Sequence, residues 1–349
     1  MIACGARPNF MKVAPIVREA KQRNIDCRIF YSNQHYDTEL SSVFFADLGI
    51  PFPDFYMTPT KGSHAEQTAK VMIDFEKVCS QYCPDLVIVV GDVNTTLACA
   101  ITAKKLQIQV AHIEAGLRSF DMTMPEEINR KIVDSISDLL FCTEGDAFLN
   151  LHKEGKRGNL VGNVMIDNLF FQLQNCWIEN NLPDEYIFLT LHRPSNVDSK
   201  PVLLKIIDIV SEISYKFVPV IFIVHPRTRE ALQRFNIKLP DTIRQYAPLG
   251  FTGSLSIWKG AKVVLTDSGG LQEETTALGV PCLTLRKNTE RPCTEVIGTN
   301  TVVGADKEKI IQLVSDIFVG QYKKGAIPEL WDGKAAERII NIIMERGIE

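Results

Sequence analysis

Short apolar runs alternate with amphipathic stretches along the whole chain. Runs rich in Val, Ile and Leu occur at Met1–Cys4, Cys27–Tyr31, Leu86–Val90, Val110–Ile113 and Leu139–Cys142. A second series follows at Tyr186–Leu191, Val218–Val224, Val263–Leu265 and Pro281–Leu285. Odd and even positions are both apolar in these runs, which predicts strands buried on two faces, as in a parallel sheet. Between them, Phe10–Arg23, His64–Tyr82, Asn94–Lys105, Glu126–Ser137, Val202–Tyr215 and Leu271–Leu278 carry helical patterns. The alternation predicts an α/β protein built of doubly wound parallel sheets.

A polar stretch, Gln172–Pro183, separates the two strand series and puts a domain junction near 165–183. The chain therefore reads as two Rossmann-like domains, 1–170 and 171–333. A last helix within 334–349 follows a Trp-Asp-Gly turn and is expected to pack back on the first domain. Its 349 residues suit two domains of about 150. Strand ends run into Gly91-Asp92, Glu114-Ala115-Gly116, His192-Arg193 and Asp267-Ser268-Gly269-Gly270. In doubly wound folds those carboxyl ends form the ligand crevice. Two such domains facing a central cleft would place a site there.

Composition removes several alternatives. Apolar residues make up 45% and charged residues 23%, as in a globular chain with ample core. Lys plus Arg number 38 against 42 for Asp plus Glu, a net charge of −4. No basic excess exists to neutralise a phosphate backbone, so no nucleic-acid partner is expected. No apolar run is long enough for a membrane helix, and the first residues show neither basic leader nor long apolar core. The nine cysteines are scattered, several within apolar runs, and the closest pair, Cys79 and Cys83, has no partners for a zinc site. A reducing compartment, most simply the cytoplasm, and no metal are expected.

The chemistry concentrates at strand ends. The strand Val263–Leu265 feeds Ser268-Gly269-Gly270, which opens a helix whose N–H groups suit a phosphate. Glu274 lies on that helix within reach of ribose hydroxyls, and Arg291 could meet a second phosphate. An ordinary turn capped by Ser268 would look similar. In the first half, Arg7 and Lys12 flank a turn after Gly5; they are either crevice cations or solvated surface charges. Asp92, Glu114 and Glu126 sit past strands or at a helix start, placed for proton transfer if buried and for capping if not. Glu127, one residue on, is expected to be solvated. His192-Arg193 and His225 each follow an apolar strand, where a crevice suits a histidine better than a core does. No nucleophile elbow, Walker loop or dinucleotide fingerprint occurs.

Taken together, GARPNFMKVAP, QHYD, GDVNTT, HIEAGLRSFD, MPEEINR, VGNVMID, LHR and TDSGGLQEE with TERP run in order from residue 5 to 292. In this combination the chain closely resembles the non-hydrolysing UDP-N-acetylglucosamine 2-epimerase family. The resemblance implies two domains of glycosyltransferase-B type, a cytoplasmic homodimer, a UDP-sugar substrate and no redox cofactor. It further implies that UDP-N-acetylmannosamine or a related sugar is made for surface polysaccharides. Carried over by motif, Arg7 and Lys12 lie near the diphosphate, while Asp92, Glu114, Glu126 and His192 form the acid/base set. Ser268, Gly269, Gly270, Glu274 and Arg291 hold the UDP part, with Arg193 and His225 beside them.

Three departures qualify the match. Where many members have Glu-Asn after His-Arg-x, this chain has Pro194-Ser195-Asn196. An aromatic over the uracil is replaced by Ser254, with Phe251 as the substitute. Gln34-His35 is followed by Tyr36-Asp37, without the Gln that serves a second, activating sugar-nucleotide site in some members. A UDP-sugar-dependent glycosyltransferase, a hydrolysing variant and an inactive sugar-nucleotide sensor are the competing readings. The three carboxylates of the first half favour the epimerase over the transferase and the sensor.

Overall fold

The computed structural model describes residues 1–33, 42–57, 62–177 and 181–347, without the side chains of 7, 8 and 42–44. The chain divides into two compact units, Met1–Phe170 with Glu329–Glu349, and Phe171–Pro328. The first holds a seven-stranded sheet of β1 (Ile2–Cys4), β2 (Ile29–Tyr31), β3 (Phe55–Tyr56), β4 (Leu86–Val90), β5 (Gln109–Ile113), β6 (Leu139–Cys142) and β7 (Asn159–Leu160). Its order is β3-β2-β1-β4-β5-β6-β7, parallel throughout. The second holds β8 (Ile187–Thr190), β9 (Val220–Ile223), β10 (Ile243–Tyr246), β11 (Val263–Thr266), β12 (Cys282–Thr284) and β13 (Asn300–Val302). Its order, β10-β9-β8-β11-β12-β13, is parallel as well.

All nine strands read from the apolar runs are present, and all nine are interior. The four strands not expected, β3, β7, β10 and β13, are the four sheet edges. An edge strand needs no fully apolar run, because one side and part of a face meet solvent. The burial of Ile-Arg-Gln-Tyr in β10 falls off from its first residue accordingly.

Alternation fills both faces of the first sheet. Ile2, Cys4, Leu86, Ile88 and Val90 point to one side, where they meet Phe10, Val13, Val17 and Ala20 of helix Arg7–Gln22. Ala3, Val87, Val89 and Val110 point to the other, against Val71, Phe75, Ala98 and Ala103 from helices His64–Tyr82 and Asn94–Lys105. The last helix, Ala335–Glu345, belongs to the first core through Ile339, Ile340 and Ile343. Asp167 caps its start by accepting the N–H groups of Ala335 and Ala336 at 3.1 and 2.7 Å. Residues 329–333, expected with the second half, belong to the first unit: Trp331 Nε1 donates to the Thr143 carbonyl at 3.0 Å. Gly162 (φ +89°) allows the close approach, since a Cβ there would lie 2.1 Å from the Leu330 oxygen. No helix of the described residues is long and apolar enough to cross a membrane.

Strand order reverses between β1 and β4 in the first sheet and between β8 and β11 in the second. A crevice opens at such a switch point because the connections on either side leave in opposite directions. The loops after these four strands begin at Gly5, Gly91, Leu191 and Asp267; with the helices that follow, they carry most of the residues singled out from sequence.

Truncating Ile339, which is fully buried, should leave a cavity between the last helix and the sheet. Ile339→Ala is expected to destabilise the first unit by about 2–5 kcal/mol, read by urea denaturation.

Candidate functional site

In the first unit the structure brings Lys12 and Glu114 together beside the Gly91-Asp92 turn. Lys12, on the helix after β1, pairs with Glu114 Oε2 at 2.5 Å, and the Glu114 side chain is almost wholly buried. Gly91 lies against this pair. A Cβ at 91 would be 3.2 Å from Glu114 Oε2 and 3.5 Å from Lys12 Nζ, and φ there is +69°. Glycine is favoured by the backbone there, and a Cβ would crowd the pair by a few tenths of an ångström. Glu114 has φ +68° although it is no glycine, a conformation that side chains rarely adopt. Arg7 is the first residue of its helix; its side chain, and the whole of Gln34–Asp37, lie outside the described residues.

Helix Pro125–Ile136 is turned inside out. Its buried residues include Glu127, Arg130 and Asp134, spaced three and four apart, while Ile128 and Ile132 are exposed. Glu127 is therefore not solvated, contrary to expectation. It accepts Ser119 N (2.9 Å), Ser119 Oγ (3.0 Å), Phe120 N (3.3 Å) and Arg130 Nη1 (2.9 Å), tying down the loop that follows Glu114. Burial alone would raise the Glu127 carboxyl; these donors and the Arg130 charge hold it below its ordinary value. The other nitrogen of Arg130 bonds Asp92. Asn129 donates to the Asp92 carbonyl at 2.8 Å. Glu126, half-buried in the first turn, makes no side-chain hydrogen bond or ion pair with the described residues. Sequence reasoning missed Arg130 because an amphipathic reading puts charges outward. The spacing Glu127, Arg130, Asp134 was the available signal: three charges on one stripe.

The second unit assembles the other group. Asp267, fully buried after β11, accepts His192 N at 3.0 Å, Arg193 N at 2.9 Å and Asn196 Nδ2 at 3.0 Å. His192 Nδ1 lies 3.0 Å from Asp267 Oδ1. Burial raises the Asp267 carboxyl, but His192 and the N–H donors outweigh it and hold the group below its usual value. One carboxylate thus fixes the backbone and ring of His192 across the switch point, with Nε2 left to face outward. Asn196, retained from the family's Glu-Asn pair, also donates to the Leu285 carbonyl at 2.8 Å. His225 stacks obliquely on His192 at 5.7 Å, and burial, then His192, lowers its pKa.

Thr190, His192, Phe251, Ser254, Trp258, Ser268, Leu271 and Glu274 line a cavity of about 210 Å³. Ser268 is the N-cap of helix Gly269–Leu278, and its side chain makes no cap bond. A Cβ on Gly269 would lie 3.9 Å from Arg193 Nη2, so this guanidinium stands beside the helix N-terminus. Arg193 Nε and Arg286 Nη1 are buried without a hydrogen-bond partner among the described residues. Arg291 Nε pairs with Glu273 Oε1 at 2.8 Å. The Glu290 carboxyl, raised by burial, is pulled below its ordinary value by Arg286, Arg291 and Arg193. Three arginines therefore converge around Glu290, and one of them, Arg193, stands beside a helix N-terminus, an arrangement suited to a doubly charged phosphate group. Arg286 was not foreseen, since Leu285-Arg286 reads as the polar end of a strand.

Beneath them, Gln272 Oε1 accepts Thr289 Oγ1 (2.6 Å) and Asn300 Nδ2 (3.1 Å), and Thr289 Oγ1 accepts Arg291 N (3.0 Å). This locks the arginine loop to the helix.

Comparison with known proteins identifies the family. The model of the UDP-N-acetylglucosamine 2-epimerase family matches residues 18–344. The chain belongs to this family. A UDP-N-acetylglucosamine 2-epimerase of Methanocaldococcus jannaschii is 42% identical, with 98% of each chain covered. A UDP-2,3-diacetamido-2,3-dideoxy-D-glucuronate 2-epimerase of Pseudomonas aeruginosa is 39% identical, covering 88% of this chain and 89% of its own. The crystal structure of an M. jannaschii UDP-GlcNAc 2-epimerase, in complex with UDP-GlcNAc and UDP, superposes with a TM-score of 0.85 at 42% identity and 99% coverage of both chains. The two-domain parallel α/β architecture is thus that of the family's solved structures.

Burial, and then the neighbouring Glu273, raise the Glu274 carboxyl to about 8. An acid whose folded pKa is raised keeps its full contribution to stability below the unfolded value, and loses it as pH rises through the folded one. Between pH 4.5 and about 8 the wild type should therefore lose stability relative to Glu274→Gln. Melting temperatures of both proteins at pH 5 and pH 9 read the effect. A constant difference between them across that range would contradict it.

Proposed function

We propose that this protein interconverts UDP-N-acetylglucosamine and UDP-N-acetylmannosamine, without hydrolysis, by eliminating and re-adding UDP. The reading is carried by the carboxylates of the first unit, Asp92 beside Arg130 and Glu114 beside Lys12, in a chain that aligns end to end with a 2-epimerase. A glycosyltransferase of similar fold would have no need of that set.

In the proposed reaction a base takes the proton from carbon 2, the electron pair forms the carbon 1–carbon 2 double bond, and UDP leaves carbon 1 with the bonding pair. A proton is then delivered to the opposite face of the glycal while a diphosphate oxygen returns to carbon 1. Carbon 2 lies beside no carbonyl, so its proton is weakly acidic. The leaving diphosphate must carry much of the developing charge, and cations and helix N–H groups are suited to receive it. Arg193, Arg286, Arg291, Ser268, Gly269 and Gly270 are proposed for that task on the UDP side. Arg7 and Lys12 are proposed to add charge from the first unit. His225, Phe251 and Glu274 would hold the nucleoside, Glu274 accepting the ribose hydroxyls.

Asp92 is held by Arg130 and Glu114 by Lys12, and these two carboxylates are proposed for proton transfer at carbon 2. Glu126, which has no ion-pair partner among the described residues, is proposed as the third carboxylate of the set. His192, oriented by Asp267, completes the acid/base set. The same chemistry serves sugars with other substituents at carbons 3 and 6, and the P. aeruginosa relative, named for a diacetamido-glucuronate, makes such a sugar the second reading. We further place the enzyme in the cytoplasm as a homodimer supplying surface polysaccharide synthesis.

Incubation with UDP-N-acetylglucosamine in deuterium oxide, followed by NMR, should show deuterium at carbon 2 of both epimers, without added NAD. Strict dependence on NAD would sink the elimination route. A label appearing only with a carbon 3-substituted UDP-sugar would establish the second reading.

The two sets of residues should separate in function. Asp92→Asn, Glu114→Gln and Glu126→Gln are expected to lower turnover by about 10²–10⁴-fold while UDP still binds. Glu274→Ala and Arg291→Ala should weaken UDP binding by about 10- to 150-fold in calorimetry. Unchanged affinity in both of the latter would move the nucleotide site elsewhere.

A further inference from the structure

The motif His112-Ile-Glu-Ala-Gly-Leu-Arg118 contributes Glu114 to the proposed chemistry and leaves its two end residues without a part in it. Both are buried and both meet one carboxylate. His112, the fourth of five residues of β5, has no exposed surface, nor does Asp134. His112 Nδ1 lies 2.7 Å from Asp134 Oδ1, and Nε2 lies 2.9 Å from the Gly91 carbonyl. Asp134 Oδ2 accepts Gly116 N at 3.1 Å and Arg118 Nη1 at 2.7 Å. The remaining face of Arg118 forms a fork with Glu154 at 2.9 and 2.7 Å.

A carbonyl oxygen can only accept, so Nε2 must carry hydrogen. Asp134 already accepts a cationic guanidinium and a backbone N–H in a dry site, which favours its ionised form. An ionised carboxylate also only accepts, so Nδ1 must carry hydrogen too. A histidine with both ring nitrogens protonated is a cation. The charges then alternate inward from solvent: Glu154 negative, Arg118 positive, Asp134 negative, His112 positive. The sum is zero, and every charge has a partner at hydrogen-bond distance, the condition under which buried ions are tolerated.

We propose that His112 is a permanently protonated imidazolium, and that the chain Glu154–Arg118–Asp134–His112 is the positioning device for two of the catalytic carboxylates. Its two inner ends grip the two turns that carry them. His112 holds the carbonyl of Gly91, the residue before Asp92, and Asp134 holds the N–H of Gly116, two residues after Glu114. Glu114 itself has a positive φ, a conformation that a residue with a Cβ keeps only where surrounding contacts impose it. None of the four chain members is assigned a proton transfer to the sugar. The part of the proposal that concerns catalysis rests on the epimerase reading; the part that concerns charge does not.

The test starts with the unliganded wild-type protein labelled with ¹⁵N in its histidines. Long-range ¹H–¹⁵N correlation reads the protonation of both ring nitrogens, with the His112 signal identified by its loss in His112→Gln. The expected result is two N–H signals for His112 that persist from pH 6 to 9. A bare ring nitrogen at neutral pH overturns the assignment, whatever the enzyme's substrate.

The second arm is kinetic. Asp134→Asn should lower kcat by about 10- to 100-fold, because it releases the Gly116 turn, with little change in UDP affinity. Should that variant fail to fold, Arg118→Lys keeps the charge with fewer donors and should lower kcat in the same sense. A wild-type kcat, or UDP affinity falling in step with kcat, overturns the positioning role. If the wild type shows no carbon 2 exchange at all, the epimerase reading fails and the nitrogen spectrum still decides the charge.

Discussion

A strand that pairs parallel with its neighbours cannot return by a tight turn, so every connection between paired strands in both sheets must cross a face. Two consequences follow in this chain. The helices that make the crossings cover both faces, and most positions of each interior strand must be apolar. The polar residues excluded from the strands accumulate in the loops at their carboxyl ends, and at β1/β4 and β8/β11 those loops diverge. Lys12, Asp92, His192 and Ser268 owe their places to this constraint before any chemistry is considered.

The same constraint decides what was legible in the sequence. A strand buried on two faces announces itself as an unbroken apolar run, and β1, β4, β8 and β11 could be read with their loops. Edge strands such as β10 obey no such rule. Their partner on one side is water, so the arginine and glutamine of Ile243–Tyr246 are tolerated. Candidate residues at strand ends were found for the reason that strand ends were found.

What escaped was the material between candidates. An amphipathic pattern assigns Glu127 to solvent, since a surface helix usually turns its charges outward. Helix Pro125–Ile136 turns them inward, because Asp92 and the loop after Glu114 leave polar groups that something must satisfy. Arg130 and Asp134 answer that need, as Gln272 and Asn300 do beneath the arginines of the second unit. Such residues are set by the polar groups of neighbouring loops, and a pattern read along one segment does not contain those groups. His112 is the sharpest case: a lone polar letter in Val-Ala-His-Ile, it makes sense only beside a carboxylate 22 residues away.

The backbone at Glu114 places the molecule under a divided allegiance. A left-handed conformation on a residue with a Cβ costs on the order of 1 kcal/mol or more, and glycine or asparagine would relieve it. Removing the carboxylate would also strand Lys12, so a population selected only for resistance to heat meets two opposed terms at this position, relief of the backbone and loss of a partly buried ion pair. Glutamate at 114 is therefore held by its partner as well as by its chemistry.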